Sequence, residues 1–268
     1  MTGLAMRFLG HSTVRVEMAG TVLLTDPVLT TRIGPLLRVG PAPAPAGWAD
    51  VDLVLLSHLH GDHLHLPSLQ LLSAVGARVV VPRGAADWLR TRGIARVDEL
   101  APGETLVHDE LLVTGVPAAH SGHRWGPRST RGPQAPAMGH LIEAGEHRVY
   151  AAGDTDLFPG MAGLPSPDVA LLPVWGWGPT LGPGHLDPVR AAEAVARLRP
   201  RIAVPVHWGT FALAGLLRAP GRAGVRMRRL LVEPPHEFAA AVAAAGLATQ
   251  VVVTPPGRPV ALPGRAAR

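Results

Sequence analysis

A chain of 268 residues with 47% hydrophobic residues can bury a sizeable core, which excludes a disordered or fibrous protein. The net charge of +5 comes wholly from arginine, since lysine is absent; these arginines are scattered and aromatics make up only 4%, so nucleic acid is not an expected partner. Cysteine is absent as well, which removes disulfides and thiolates and leaves any metal site to the 13 histidines and the carboxylates.

From the N-terminus, β-branched and apolar runs predict short strands at 6–9, Thr13–Met18 and Thr21–Thr25. Gly40-Pro41-Ala42-Pro43-Ala44-Pro45 reads as an exposed, polyproline-like loop. The apolar run 51–56 suits a buried strand, and Pro67 opens a helix to Val75. Residues 78–81 read as a strand, 85–92 as a helix, and the segments at Ile94, Thr105, 111–118, 139–143 and 148–152 as further strands. Buried strands at 169–174 and Ile202–Val206 flank a helix over Pro188–Leu198, and 237–245 is a last helix. Strand-rich stretches alternating with helices, with neither repeat nor linker, predict an α/β chain in one domain over 1–268. The expected architecture is a four-layer αββα sandwich, two sheets face to face with helices outside. The first ten residues do not resemble a signal peptide and no stretch is long enough to span a bilayer, so a soluble cytoplasmic protein is expected.

Where the run 51–56 ends, the chain reads Ser57-His58-Leu59-His60-Gly61-Asp62-His63. Four ligand-type side chains within six positions, at a turn after a buried strand, point to metal rather than to separate structural histidines. Imidazole and carboxylate suit zinc, and two such sets about 3.5–4 Å apart can hold two metals around a shared water. One loop cannot complete two sites, so further ligands must come from later strand ends. His120, Asp154 and His207 stand there, each after an apolar run and beside small residues.

In order and spacing these residues resemble the metallo-β-lactamase superfamily, from Phe8 to about Gly246. The flanking words are Leu9-Gly10-His11-Ser12-Thr13, Leu24-Thr25-Asp26-Pro27, Ala152-Gly153-Asp154-Thr155, His185-Leu186-Asp187-Pro188 and His207-Trp208-Gly209-Thr210-Phe211-Ala212-Leu213-Ala214. They are most similar to the branch of N-acyl-phosphatidylethanolamine phospholipase D, and the ascorbate-phosphate lactonase branch shares several. The resemblance implies one metal on His58, His60 and His120, a second on Asp62, His63 and His207, and Asp154 bridging both. The implied cofactors are two divalent ions, zinc with manganese or iron as alternatives, and the implied nucleophile is a hydroxide held between them. Asp62 and His185 are the catalytic candidates, His185 as the group that protonates or positions the leaving group. Its alternative is to cap or pack against the following helix.

Around this core, Asp26 could accept the free N–H of a ligand histidine or simply make an Asp-Pro turn. His11 occupies a similar strand end and reads as a supporting residue rather than a ligand. His65 reads as surface or helix-entry packing, and His108, His140, His147 and His236 as structural. His123, Arg124, Trp125, Arg128 and Arg131 crowd the loop after His120, where arginines could grip an anion or form a solvated loop. Trp175 and Trp177 could line a pocket or anchor their loop.

The reading that follows is a hydrolase of phosphodiesters or esters, most like a phospholipase D-type phosphodiesterase. A lactonase on a small phosphorylated sugar acid and a mononuclear iron oxidoreductase on the same scaffold are the alternatives. The expected partner is a small-molecule or lipid-like ester, anionic in some versions, and Ile33, Leu36, Leu37, Leu213, Leu216 and Leu217 either form an apolar rim for peripheral membrane contact or are buried. Oligomeric state, native metal and physiological substrate are not encoded in these patterns.

Overall fold

The computed structural model describes residues 3–125, 132–175 and 181–264, and within them two seven-stranded sheets face one another. In the first sheet the strands lie edge to edge as Arg258–Pro259, Ala5–Gly10, Thr13–Met18, Thr21–Thr25, Leu53–Leu55, Arg78–Pro82 and Val97–Leu100. In the second they run Gln250–Val251, Ile202–Val206, Val169–Pro173, His147–Ala151, Met138–Ala144, Leu111–Pro117 and Thr105–His108. Each sheet is antiparallel on one side and parallel on the other, the parallel half of the first beginning at the pairing of Thr21–Thr25 with Leu53–Leu55.

Side-chain alternation builds the layers. Leu53, Leu55 and Val80 point into the space between the sheets with Phe8, Val113, Ile142 and Tyr150. Val54, Leu56, Val79 and Val81 point the other way, onto Leu69 and Leu72 of the helix Leu66–Ala74 and Leu89 of the helix Ala86–Arg90. A strand buried on both faces must be apolar at every position, which is why these segments are continuous rather than alternating runs. The second sheet is covered by Pro188–Leu198, which packs against Pro234–Ala244. These are the four expected layers.

Local differences have physical causes. No strand forms at Ile94, whose side chain is buried beneath the short helix, and the strand starts instead at Val97. The helix Gly221–Leu230, too polar on average to stand out by composition, was not anticipated. A small sheet of Phe211–Leu213, Leu36–Arg38 and Arg32–Ile33 also emerges, from segments too short to carry a periodic signal. It accounts for most of the candidate apolar rim. Leu36 is buried with Val28 and Phe211, Ile33 and Leu213 pack against them, and Leu216 and Leu217 pack on the main core, leaving Leu37 exposed.

Five parallel strands end at one rim of the sandwich. Asp26, Ser57, Asp154, Trp175 and His207 follow Thr25, Leu55, Ala151, Pro173 and Val206 there, so loops from both sheets can meet.

Candidate metal centre

The histidine loop is fixed from behind. Asp26 Oδ1 accepts the Ser57 backbone N–H at 2.7 Å, while Oδ2 accepts the Ser57 hydroxyl at 2.7 Å and the His63 Nδ1–H at 2.9 Å. The Ser57 oxygen, having given its proton to Asp26, accepts from His58 Nδ1 at 2.9 Å. From the other side Arg124 Nη1 donates to the carbonyls of Leu59 at 2.7 Å and Leu64 at 3.0 Å, and its guanidinium lies 5.4 and 5.0 Å from the Trp88 and Trp125 ring centres. Gly153 lets the second sheet close on this loop. Its φ is +62°, and a Cβ there would stand 2.3 Å from Ser57 Cβ, so a larger residue would push Asp154 away.

Two sets of donor atoms result. In one, His60 Nδ1 lies 3.0 Å from His58 Nε2 and 3.1 Å from His120 Nε2. In the other, His207 Nε2 lies 3.2 Å from His63 Nε2 and 3.6 Å from Asp62 Oδ2. Asp154 stands between them, with Oδ1 at 3.4 Å from His207 Nε2 and Oδ2 at 3.4 Å from His63 Nε2, and it also falls within reach of His58, His120 and His185.

The tautomers are set by the outward nitrogens. His120 Nδ1 donates to the Gly184 carbonyl at 2.6 Å and His207 Nδ1 to the Trp175 carbonyl at 2.5 Å. Together with His58 on Ser57 and His63 on Asp26, four rings thus turn an Nε2 lone pair inward. Lone pairs facing each other near 3 Å repel unless a proton or a cation lies between them, and donors around a tetrahedral zinc stand about 3.3 Å apart.

The electrostatics agree. Burial, then the neighbouring rings, keeps His58 well below its ordinary value and His60 at about 4, so these imidazoles are neutral and able to coordinate. Burial works to raise the Asp154 and Asp62 carboxyls, yet the surrounding histidines hold both well below the usual carboxylate range. Burial equally opposes charge on His63 and His207, but the carboxylates, Asp154 foremost, raise both. Buried carboxylates thus favour positive charge at two of the inward rings, the charge that a divalent cation would supply. Asp154 Oδ1, buried and without a hydrogen-bond partner among the described residues, fits the same requirement. The residues present therefore fit a metal, in groups that join His58, His60 and His120, and His11, Asp62, His63 and His207.

The remaining candidates separate clearly. His11 is brought into the second group, its Nε2 3.1 Å from Asp62 Oδ2 and its ring 3.9 Å from that of His207. His185 lies at the edge, its Nε2 3.6 Å from Asp154 Oδ2 and its ring edge-on to His120 at 4.7 Å. It does not cap the next helix, a task done by Asp187, whose carboxylate accepts the Arg190 N–H at 2.8 Å. Arg124 is buried on backbone carbonyls rather than facing a ligand, and Trp175 is buried in the main core, contributing its carbonyl to the site. His123 is half-buried, bridging to Gln134. His65 hydrogen-bonds Ser68 at 2.8 Å at the helix entry. Arg128, Arg131 and Trp177 lie outside the described residues. Sequence reasoning missed the clamp by Arg124 and the two carbonyl acceptors. Carbonyls belong to every residue, so only Ser57, adjacent to the motif, carried a readable signal.

The family model for the beta-lactamase superfamily domain matches residues 21–208. The chain belongs to the metallo-β-lactamase superfamily. Among curated relatives it is 33% identical to the UPF0173 metal-dependent hydrolase MK1542 of Methanopyrus kandleri, over 93% of this chain and 96% of that one. Among solved structures it is similar to Igni18, a metallo hydrolase of Ignicoccus hospitalis, with a TM-score of 0.72, 25% identity and coverage of 96% and 97% of the two chains. CmlA, a diiron β-hydroxylase of Streptomyces venezuelae, shares the fold with a TM-score of 0.69 at 21% identity, over 97% of this chain and 54% of that one. The protein is a metal-dependent hydrolase, and its candidate donors sit on the rim where the two sheets meet.

Proposed function

We propose that this hydrolase uses two divalent ions, zinc or manganese, to cleave a phosphodiester or ester, and that a phosphodiester is its substrate class. The observation that carries the reading is the position of Asp154, within metal-binding reach of His58 and His120 from one donor set and of His63 and His207 from the other. A carboxylate has the two oxygens needed to span two cations. In this reading His58, His60 and His120 hold one ion, Asp62, His63 and His207 the other, and Asp154 both. When bound, the ions supply a water activated near neutral pH and positive charge opposite the oxyanion that develops on the substrate.

The chain's own residues do the rest. Asp26, Ser57 and Arg124 keep the histidine loop rigid, so donor positions need not reorganise during turnover. His185, partly exposed beside Asp154 and His120, is placed to give a proton to the leaving oxygen. Support for a lactonase that grips an anion through the loop after His120 is weakened, because Arg124 is spent on backbone carbonyls. Leu36 is buried and Ile33, Leu213, Leu216 and Leu217 are partly buried against the core, leaving Leu37 as the one exposed residue of the six, which favours a small diester over a bilayer-embedded one.

The test combines metal analysis with a panel of phosphodiesters and lactones assayed with added zinc or manganese. Two ions per chain and phosphodiester cleavage are expected, with His185→Gln lowering kcat while both ions stay bound. A single ion per chain, or lactone turnover without phosphodiester turnover, would overturn the reading.

A further inference from the structure

A second depression lies apart from the donor cluster. The segment Gly40 to Gly47 stands over the first sheet and leaves a groove of about 780 Å³, bordered by Leu9, Val39, Pro41, Pro43 and Pro256, by three arginines, Arg7, Arg15 and Arg38, and by one carboxylate, Glu17. It contains none of the metal-donor residues. Its volume falls in the range of small-molecule sites, which combine mostly apolar walls with a few fixed polar groups.

The arginines are not equivalent. Arg15 is neutralised, with Nη1 and Nη2 on the two oxygens of Asp50 at 2.5 and 2.8 Å and Nε on Glu17 at 2.8 Å. Arg38 meets only carbonyls: Nε donates to Thr30 at 3.0 Å, Nη1 to Leu9 at 3.4 Å and Nη2 to Val28 at 2.5 Å, with Phe211 4.8 Å away under the guanidinium. Two of its five N–H donors are left over, one on each terminal nitrogen. Arg7 donates to the Gly257 carbonyl at 3.2 Å. Among the described residues neither Arg7 nor Arg38 forms an ion pair, although the chain's other groove arginine has two acidic partners. Burial also lowers the Arg38 pKa to about 10, the cost of a cation desolvated without a counter-charge.

We propose that this groove binds an amphipathic monoanion, a carboxylate head between Arg7 and Arg38 with an unbranched apolar tail along the proline-rich wall. A carboxylate supplies the counter-charge that the carbonyl dipoles only approximate, and charge-assisted bonds to guanidinium are the stronger kind. The tail replaces water on Leu9, Val39, Pro41, Pro43 and Pro256. One head is enough, because the third arginine is already paired.

The probe is decanoate, titrated calorimetrically into the full chain as purified, with decanol and butyrate as the tail-only and head-only controls. Decanoate is expected to bind one per chain, and both controls at least tenfold more weakly. Arg7→Gln, an exposed substitution, and Arg38→Gln are each expected to weaken decanoate at least fivefold, Arg38→Gln being read only if its melting curve stays cooperative. Absence of saturable decanoate binding, equal binding of decanol, or unchanged affinity in Arg7→Gln would overturn the proposal, the last because the ligand would then sit elsewhere, at the metal centre first of all. None of these readouts depends on turnover, so the groove stands or falls separately from the hydrolytic reading.

Discussion

The backbone N–H of His207 donates to the carbonyl of His11 at 2.7 Å, and both residues hold left-handed φ angles, 63° and 56°. Left-handed backbone costs a side-chain-bearing residue on the order of 1 kcal/mol or more and persists only where surrounding structure imposes it. Asp26, at 36°, is a third such residue. Strain at these three turns aims the side chains of the second donor set, with His11 Nε2 on Asp62 and Asp26 on His63. Replacing His11 with Asn, which tolerates the left-handed region, removes the Asp62 contact and keeps the turn. Melting temperature should change little while, under the proposed two-ion reading, affinity for the ion held by Asp62 falls about 10–100-fold, as for other supporting residues. Competition with a chelator measures it, and parent-like binding of both ions would show that Asp62 needs no help.

Asp26→Ala should be more damaging. It strips the acceptor from the Ser57 amide, the Ser57 hydroxyl and His63 Nδ1 at once. Metal content by elemental analysis should drop below one ion per chain, with a lower denaturation midpoint, whereas a fully loaded variant would place the control of His63 elsewhere.

Arg124 acts on the backbone, so charge alone should not replace it. Arg124→Lys keeps the charge but not the planar fork that reaches Leu59 and Leu64. Leaving those carbonyls poorly satisfied should cost about 1–3 kcal/mol in urea unfolding. If Lys instead restored the stability lost in Arg124→Ala, positive charge rather than shape would be the operative property.

At Gly153 the constraint is space. An added methyl meets Ser57 Cβ at 2.3 Å in a backbone conformation at φ +62°. Gly153→Ala should destabilise by about 1–3 kcal/mol or more through overpacking and left-handed strain. Because Asp154 follows directly, metal binding should weaken in parallel, and stability loss with unaltered metal affinity would separate the two.

His140 predicts an acid limb of stability. Burial lowers its pKa from 6.5 to about 4, Asp26 opposing only in part. An unfolded chain takes up a proton below 6.5 that the folded one refuses until about 4. The stabilisation is therefore complete above pH 6.5 and disappears as pH falls towards 4, about 3 kcal/mol in all. Denaturant midpoints of His140→Gln should decline less steeply than the parent's between pH 6.5 and 4.5, and parallel curves would assign the acid sensitivity to other groups.

What the sequence determined alone was whatever is encoded locally. Continuous apolar runs such as Leu53–Leu55 and Ile202–Val206 are strands because both faces are buried, and the four-layer order follows from their alternation with helices. The cluster from His58 to His63 was readable because its chemistry is packed into six positions, and His120, Asp154 and His207 because each follows such a run. The short sheet of Phe211–Leu213 with Leu36–Arg38 and Arg32–Ile33 was not, since segments of two or three residues have no period to detect.

Tertiary structure alone decided who supports whom. From its type and position Arg124 could grip an anion or sit in a solvated loop, and the structure shows it holding the carbonyls of Leu59 and Leu64, a role set by distances across more than fifty residues of chain. The carbonyls of Gly184 and Trp175 orient His120 and His207, and no residue type announces a carbonyl. Side-chain chemistry is written in the sequence, but backbone acceptors and close approaches such as Gly153 on Ser57 exist only once the two sheets are brought together.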